Sequence, residues 1–128
     1  MVDSAPTIGA VGHRVLIVDD HPSFRATARI LLEAEGFTVV GEAADGASAL
    51  SEICRLRPEV VLLDIGLPDL DGFDVCAQVN GHGGPVPAVI LVSSRDVSDF
   101  GSLISRCGAR GFVPKAELSG ERLEALLS

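Results

Sequence analysis

Basic residues are scarce in this 128-residue chain: 10 Lys and Arg stand against 18 Asp and Glu, a formal charge of −8 at neutral pH. Nucleic-acid binding is driven by cations that neutralise phosphates, so the balance argues against direct contact with DNA or RNA. Any DNA output would belong to another domain. Cysteine is also sparse. Cys54, Cys76 and Cys107 form no CxxC pair, which leaves neither a structural zinc site nor a disulfide framework. Each lies among apolar helix residues and is expected to act as a small core side chain. No stretch approaches the roughly 18 uninterrupted apolar residues of a membrane span. The opening MVDSAPTIGAVG lacks the basic start and apolar block of a signal peptide. A cytoplasmic location without a membrane partner is the expectation. Internal repeats, low-complexity segments and a second-domain linker are missing as well. With Met1 at the start and a stop at Ser128, a stand-alone domain is the expectation, over the front part of a longer protein.

What is present is a globular composition, 47% hydrophobic and 22% charged, in a length that buries roughly 68% of the surface exposed by the unfolded chain. Residues 1–13 read as a flexible N-terminal tail and 14–128 as one domain. Within it, short apolar runs alternate with segments of helical period. VLIV (15–18) leads to a helix opened by Pro22, with Phe24, Ala28, Leu31 and Leu32 on one side and Gly36 closing it. FTVVGEA (37–43) leads to a helix capped by Asp45, with Ala49, Leu50 and Ile53 inward and Pro58 beyond its end. VVLL (60–63) precedes a helix near Phe73 to Val79 and the loop NGHGGPVP. AVILV (88–92) precedes a helix from about Phe100 to Cys107, stopped by Gly108. GFV (111–113) precedes a last helix that turns Leu123, Leu126 and Leu127 inward. Strands apolar on both faces, alternating with helices, predict a doubly wound α/β fold with a five-stranded parallel sheet and five covering helices.

Such sheets place their chemistry at the carboxyl ends of the strands. The residues that follow the runs are Asp19 and Asp20, then Asp64, then Ser93 and Ser94, then Pro114 and Lys115. The second run offers only Gly41 and Glu42, as suits a strand at the sheet edge. If the first and third strands are neighbours, three carboxylates converge within about 5 Å, where each pair repels by roughly 3 kcal/mol at an effective dielectric near 20. Three pairs would cost about as much as the whole stability of a typical domain. The cluster therefore needs a raised pKa, a cation or both. Lys115 offsets part of the repulsion, and an oxygen-rich site suits Mg²⁺. A carboxylate, a hydroxyl, an ammonium and Mg²⁺ around one pocket are also what phosphoryl transfer requires. Asp64 would then be the nucleophile that becomes an aspartyl phosphate.

At these residues the sequence resembles the receiver domain of two-component response regulators. LLDIGLPDLDGFD (62–74) is similar to the family's phosphoacceptor stretch, with VDDHPSF, ILVSS and GFVPK in the matching order. The DDHP and GARGFVPK segments most resemble receivers found in front of helix-turn-helix DNA-binding domains. The resemblance implies a flavodoxin-like sheet of order 2-1-3-4-5. It also implies a phosphoryl group accepted on Asp64 from a histidine kinase or phosphotransfer protein, by self-catalysed chemistry rather than as a conventional enzyme. Asp20, Asp64 and the backbone carbonyl of Gly66 would hold Mg²⁺, with Asp19 assisting. Ser93 would be the switch hydroxyl, Lys115 the cation paired with the phosphoryl group, and Phe112 the aromatic ring that reorients. The fourth helix, fifth strand and fifth helix, near Phe100 to Ile104 and Leu118 to Leu127, would meet a downstream protein, an output domain or a second copy.

Several positions depart from the family. Gly66 and Arg95 stand where the family tunes dephosphorylation, Ser94 replaces the usual Ala or Gly, and Ala116 follows Lys115 in place of Pro. His21 reads as a rim residue at the start of the first helix rather than a phosphocarrier, and His13 and His82 show no metal spacing. DLDGFD (69–74) fails as a calcium loop because Asn80 stands where a Glu is needed. It fails as a haloacid-dehalogenase nucleophile because Leu67 and Pro68, not a strand, precede it. A non-phosphorylated pseudo-receiver that only binds protein is the remaining alternative.

Overall fold

The computed structural model describes residues 13–81, 86–95 and 100–127. Five strands, β1 (Arg14–Val18), β2 (Thr38–Ala43), β3 (Val60–Asp64), β4 (Ala88–Ser93) and β5 (Gly111–Pro114), alternate with five helices, α1 (Pro22–Ala34), α2 (Gly46–Leu56), α3 (Gly72–Asn80), α4 (Gly101–Arg106) and α5 (Gly120–Leu127). A 3-10 turn over Lys115–Glu117 separates β5 from α5. All strand pairs are parallel, in the order β2-β1-β3-β4-β5. This is the doubly wound parallel sheet that the run pattern predicts, in the strand order that the resemblance implies.

Successive strand residues point to opposite faces, and here both faces are covered. Leu16, Val18, Val61, Leu63, Val89 and Leu91 join Ala49, Phe73, Val75 and Cys76 on one side. Val15, Ile17, Val60, Leu62, Ile90, Val92 and Val113 join Ala28, Leu32 and Leu123 on the other. That two-sided burial is why the runs carry no polar alternation. Each fully buried Leu or Val contributes roughly 1.5–3 kcal/mol.

The helix boundaries follow local chemistry. Pro22 opens α1 with a preset φ. Asp45 caps α2, its side chain accepting a hydrogen bond from Ser48 N at 2.7 Å. Asp71 caps α3, accepting from Phe73 N at 2.7 Å. Gly36 and Gly108 end α1 and α4 with φ of 99° and 88°, a conformation that costs glycine little. Arg57 closes α2 at φ 50° without that help.

Two expectations need adjustment. Cys76 and Cys107 are buried, but Cys54 is exposed on the outer side of α2, because its helical phase puts Ile53 and Ala49 inward instead. Gly41 and Glu42 lie inside β2, which runs on to Ala43, so the second strand sends neither residue past its end. Glu42 instead turns toward α1 and pairs with Arg25 and Arg29 at 2.9 and 2.8 Å. Past Lys115, where Ala116 stands in place of Pro, the chain forms the 3-10 turn, with no cis peptide among the described residues. His82 and most of the expected 1–13 tail lie outside the described residues.

Candidate functional site

Sheet register assembles the site. β1 pairs with β3 so that Val18 faces Leu63, and the next residue on each strand is acidic, Asp19 and Asp64. β3 pairs with β4 so that Asp64 faces Val92, which puts Ser93 one step further along the same rim. β4 pairs with β5 so that Ser93 faces Pro114, and Lys115 follows. Residues far apart in the sequence thus meet because four adjacent parallel strands end together.

Asp19 is fully buried, and Asp64 and Ser93 nearly so. One ligand atom each from Asp19, Asp20, His21 and Asp64 lies within 4.8 Å of the others. Lys115 Nζ stands 2.5 Å from Asp19 Oδ2 and 3.7 Å from Asp64 Oδ2. Burial and then the Asp19 charge push the Asp64 carboxyl above the ordinary carboxylate range, and the Lys115 ammonium and the Gly66 N–H only partly counter them. The Gly66 amide donates to Asp64 Oδ1 at 3.3 Å.

A divalent cation fits these residues. Asp19 Oδ2 and Asp20 Oδ1 are buried yet accept no directed hydrogen bond. For Asp19 Oδ2 the Lys115 ammonium is close enough for a charge contact but not aligned for a hydrogen bond, so the contact offsets charge without satisfying the oxygen's lone pairs. Oxygen-rich, negatively charged clusters of this kind are what Mg²⁺ and similar cations take.

Several contacts around the cluster escape sequence reasoning. His21 donates its backbone N–H to Asp19 Oδ1 at 2.8 Å and places its ring Nδ1 2.8 Å from the same oxygen and 3.2 Å from Asp20 Oδ1. Arg25 donates to the Asp19 carbonyl at 2.7 Å while its Nε holds Glu42. The Lys115 ammonium lies 4.6 Å from the centroid of the Phe24 ring, a cation–π contact that holds it over the acids. A helical Phe in the first turn after an acidic doublet is the only prior signal for that contact. The Asp69 carboxylate, in the loop after Asp64, accepts from the Gly46 and Ala47 amides at 2.7 and 3.0 Å. Two acids of DLDGFD therefore serve helix starts, Asp69 that of α2 and Asp71 that of α3.

Of the expected switch residues, Ser93 Oγ accepts the Arg95 N–H at 3.0 Å, which leaves its own hydrogen free to donate. Ser94 is exposed. Phe112 is half-buried, its ring centroid 6.2 Å from that of Phe100, which lies 5.6 Å from Phe73. A cleft of about 590 Å³ runs from the Gly66–Asp71 loop past Ser93 to Leu103. Gly66 is at its rim and exposed, with open space where a side chain would project.

A five-stranded 2-1-3-4-5 sheet whose first, third, fourth and fifth strands aim acids, a hydroxyl and a lysine at one rim defines a class. Residues 15–127 match the family model of the response regulator receiver domain, and the chain belongs to that family. It is 39% identical over 118 residues to the nitrate/nitrite response regulator protein NarP of Escherichia coli, spanning 91% of this chain and 54% of that one. It is 43% identical over 104 residues to the DNA-binding response regulator MtrA of Mycolicibacterium smegmatis, spanning 80% and 43%. Among solved structures, a two-component response regulator of the LuxR family from Aurantimonas sp. superposes with a TM-score of 0.81 at 30% identity, covering 91% of this chain and 85% of that one. The chain spans about half the length of the curated relatives it matches. No helix among the described residues is long and apolar enough to cross a membrane.

Proposed function

We propose that this domain accepts a phosphoryl group on Asp64 from a histidine kinase or phosphotransfer protein and thereby switches the α4–β5–α5 face toward its output. The observation that carries the reading is the convergence of Asp64, Asp19 and Asp20 within one metal-sized cluster, with Lys115 Nζ 3.7 Å from the Asp64 carboxylate.

In the transfer, an Asp64 carboxylate oxygen attacks phosphorus and the phosphorus–nitrogen bond of the donor phosphohistidine breaks, its electron pair returning to the imidazole. Asp19, Asp20, Asp64 and the Gly66 carbonyl would hold the cation. Bound Mg²⁺ would neutralise charge on the phosphoryl oxygens and help to orient them. Lys115, fixed by Asp19 and Phe24, supplies the second positive charge. Ser93, whose hydroxyl hydrogen is uncommitted, donates to a phosphoryl oxygen once the acyl phosphate forms. Phosphate biases a conformation only through contacts it makes better there. The Ser93 shift is therefore the link to Phe112 and to the outer face. Relatives named as DNA-binding regulators support an output domain or a second copy as the partner of that face. The net charge of −8 disfavours nucleic acid as a direct ligand of this domain.

Incubation with acetyl phosphate and Mg²⁺, followed by intact mass, tests the reading. The expected result is the gain of one phosphoryl mass by the native chain and none by Asp64→Asn. No gain by the native chain, or an equal gain by the variant, would overturn it and leave a protein-binding pseudo-receiver.

A further inference from the structure

Beyond the acids, the rim holds one nitrogen ligand. His21 is the residue before α1, and its side chain is 63% exposed, yet the ring does not point away from the cluster. Its Nδ1 lies 2.8 Å from Asp19 Oδ1 and 3.2 Å from Asp20 Oδ1. The backbone amide of the same residue also donates to Asp19 Oδ1, so main chain and ring are fastened to one carboxylate oxygen. Pro22 follows directly and limits the backbone's freedom at this point.

We infer that His21 is a fourth side-chain ligand of the metal site, beside Asp19, Asp20 and Asp64, and that it biases the site toward transition-series divalent cations over what an all-oxygen set would select. The inference rests on the metal-dependent receiver reading and adds to it a statement about which cation this chain prefers. Ligands of a small divalent ion sit about 2.0–2.2 Å from it, so two of them can be at most about 4.4 Å apart. The four donor atoms lie within 4.8 Å of one another, so an inward shift of a few tenths of an ångström brings all of them into range. Two carboxylate oxygens of the cluster, Asp19 Oδ2 and Asp20 Oδ1, are buried and accept no directed hydrogen bond, and Asp20 Oδ1 lies 3.2 Å from the His21 ring nitrogen.

Chemistry then decides selectivity. Mg²⁺ takes oxygen and gives up water reluctantly, so an imidazole adds little to its binding. Cobalt, nickel and zinc ions gain strongly from an imidazole nitrogen, and affinity rises along the Irving–Williams order. To bind through Nδ1, His21 must carry its proton on Nε2, which faces the solvent side of the ring and needs no protein partner. The hydrogen bond to Asp19 would be exchanged for the metal bond, and that oxygen would keep the backbone N–H of His21.

The test uses calorimetric titration of the full chain with Mg²⁺, Co²⁺ and Zn²⁺, on the native sequence, His21→Ala and Asp20→Asn. His21→Ala is expected to weaken Co²⁺ and Zn²⁺ by about tenfold or more while changing Mg²⁺ by less than about twofold. Asp20→Asn is expected to weaken all three. A second readout is the ¹⁵N spectrum of the imidazoles. Zn²⁺ should shift His21 Nδ1, Mg²⁺ should not, and the rings of His13 and His82 serve as internal references. Equal losses for all cations in His21→Ala, or no loss for any, would overturn the inference and leave the receiver reading intact. Failure of the native chain to bind any of the three would overturn both.

Discussion

A buried carboxylate beside two others is held at a cost, and Asp64 shows where the cost falls. Its pKa lies above the ordinary carboxylate value, chiefly because of burial and then because of Asp19. A carboxyl raised in the folded state favours folding fully only below its unfolded pKa, and that contribution is lost as pH rises through the folded value. Near neutral pH the ionised Asp64 therefore destabilises the fold. Asp64→Asn should raise stability there by on the order of 1–3 kcal/mol, the scale of the relieved repulsion less the lost Lys115 attraction. In urea titrations the gain should shrink as pH falls below the usual carboxylate range. A variant no more stable than the native chain at neutral pH would contradict this account. Glu42 has the opposite sign. Hydrogen bonding from Arg29, and then from Arg25, holds its carboxyl below the usual value. Its stabilisation is present above the unfolded pKa and disappears as pH falls through the lowered folded value. Glu42→Gln should cost about 1 kcal/mol near neutral pH, as expected for a partly exposed, doubly paired carboxylate. The two proteins should converge only as pH falls through the lowered folded value, so urea midpoints followed from neutral pH into acid should show the difference shrinking.

At the level of elements, the turn from β3 into α3 carries Asp64, the proposed acceptor, and leaves little room for change. A Cβ at Gly72 would lie 2.6 Å from the Asp64 carbonyl oxygen and 2.6 Å from the Ile65 Cα, both main-chain atoms that cannot swing aside. Gly72→Ala should therefore cost about 1–3 kcal/mol or more and slow labelling by acetyl phosphate, because the strain falls under Asp64. Leu123→Ala, a fully buried truncation on the opposite face, should cost about 2–5 kcal/mol while the labelling rate of the folded fraction is kept. If both variants lost labelling in proportion to stability, the turn would have no special role. The starts and ends of these elements were readable in advance because their causes are local: Pro22, Asp45, Gly36 and Gly108 act within a turn of themselves. The strand-end acids were readable for the same reason, since each directly follows an apolar run. Cys54 was misjudged because burial on a short helix depends on its rotation against the sheet, which a few apolar neighbours do not fix. The reach of Asp69 to α2, and of Lys115 to Phe24, depends on how distant segments dock, and no residue spacing encodes either.

Across the whole molecule, the sheet separates two cores, and the aromatic residues of the proposed switch lie on only one of them. Phe73, Phe100 and Phe112 form a row on the α3–α4 side, with centroids 5.6 and 6.2 Å apart and rings inclined at 51° and 43°. The Arg95 guanidinium lies 5.2 Å from the Phe100 ring, two residues after Ser93. The row thus runs from the helix behind the Asp64 loop, past the start of α4, to the last strand. α4 has six residues and none of them is buried, so few packing contacts hold it in one place. An element with so little fixed packing is suited to two arrangements, and a coupling claim requires such an element that the phosphorylation site can bias. On the proposed reading, Phe100 is the joint between site and face. Phe100→Leu should leave acetyl-phosphate labelling of Asp64 within about twofold, because the ring touches none of the acids, and should cost about 1 kcal/mol in lost ring–ring contact. It should nonetheless reduce the amide shifts that beryllofluoride induces at residues 101–106 and at Phe112. Shifts there as large as in the native chain would show that the signal reaches this face without the aromatic row, and would direct attention to β5 and Lys115 as the route.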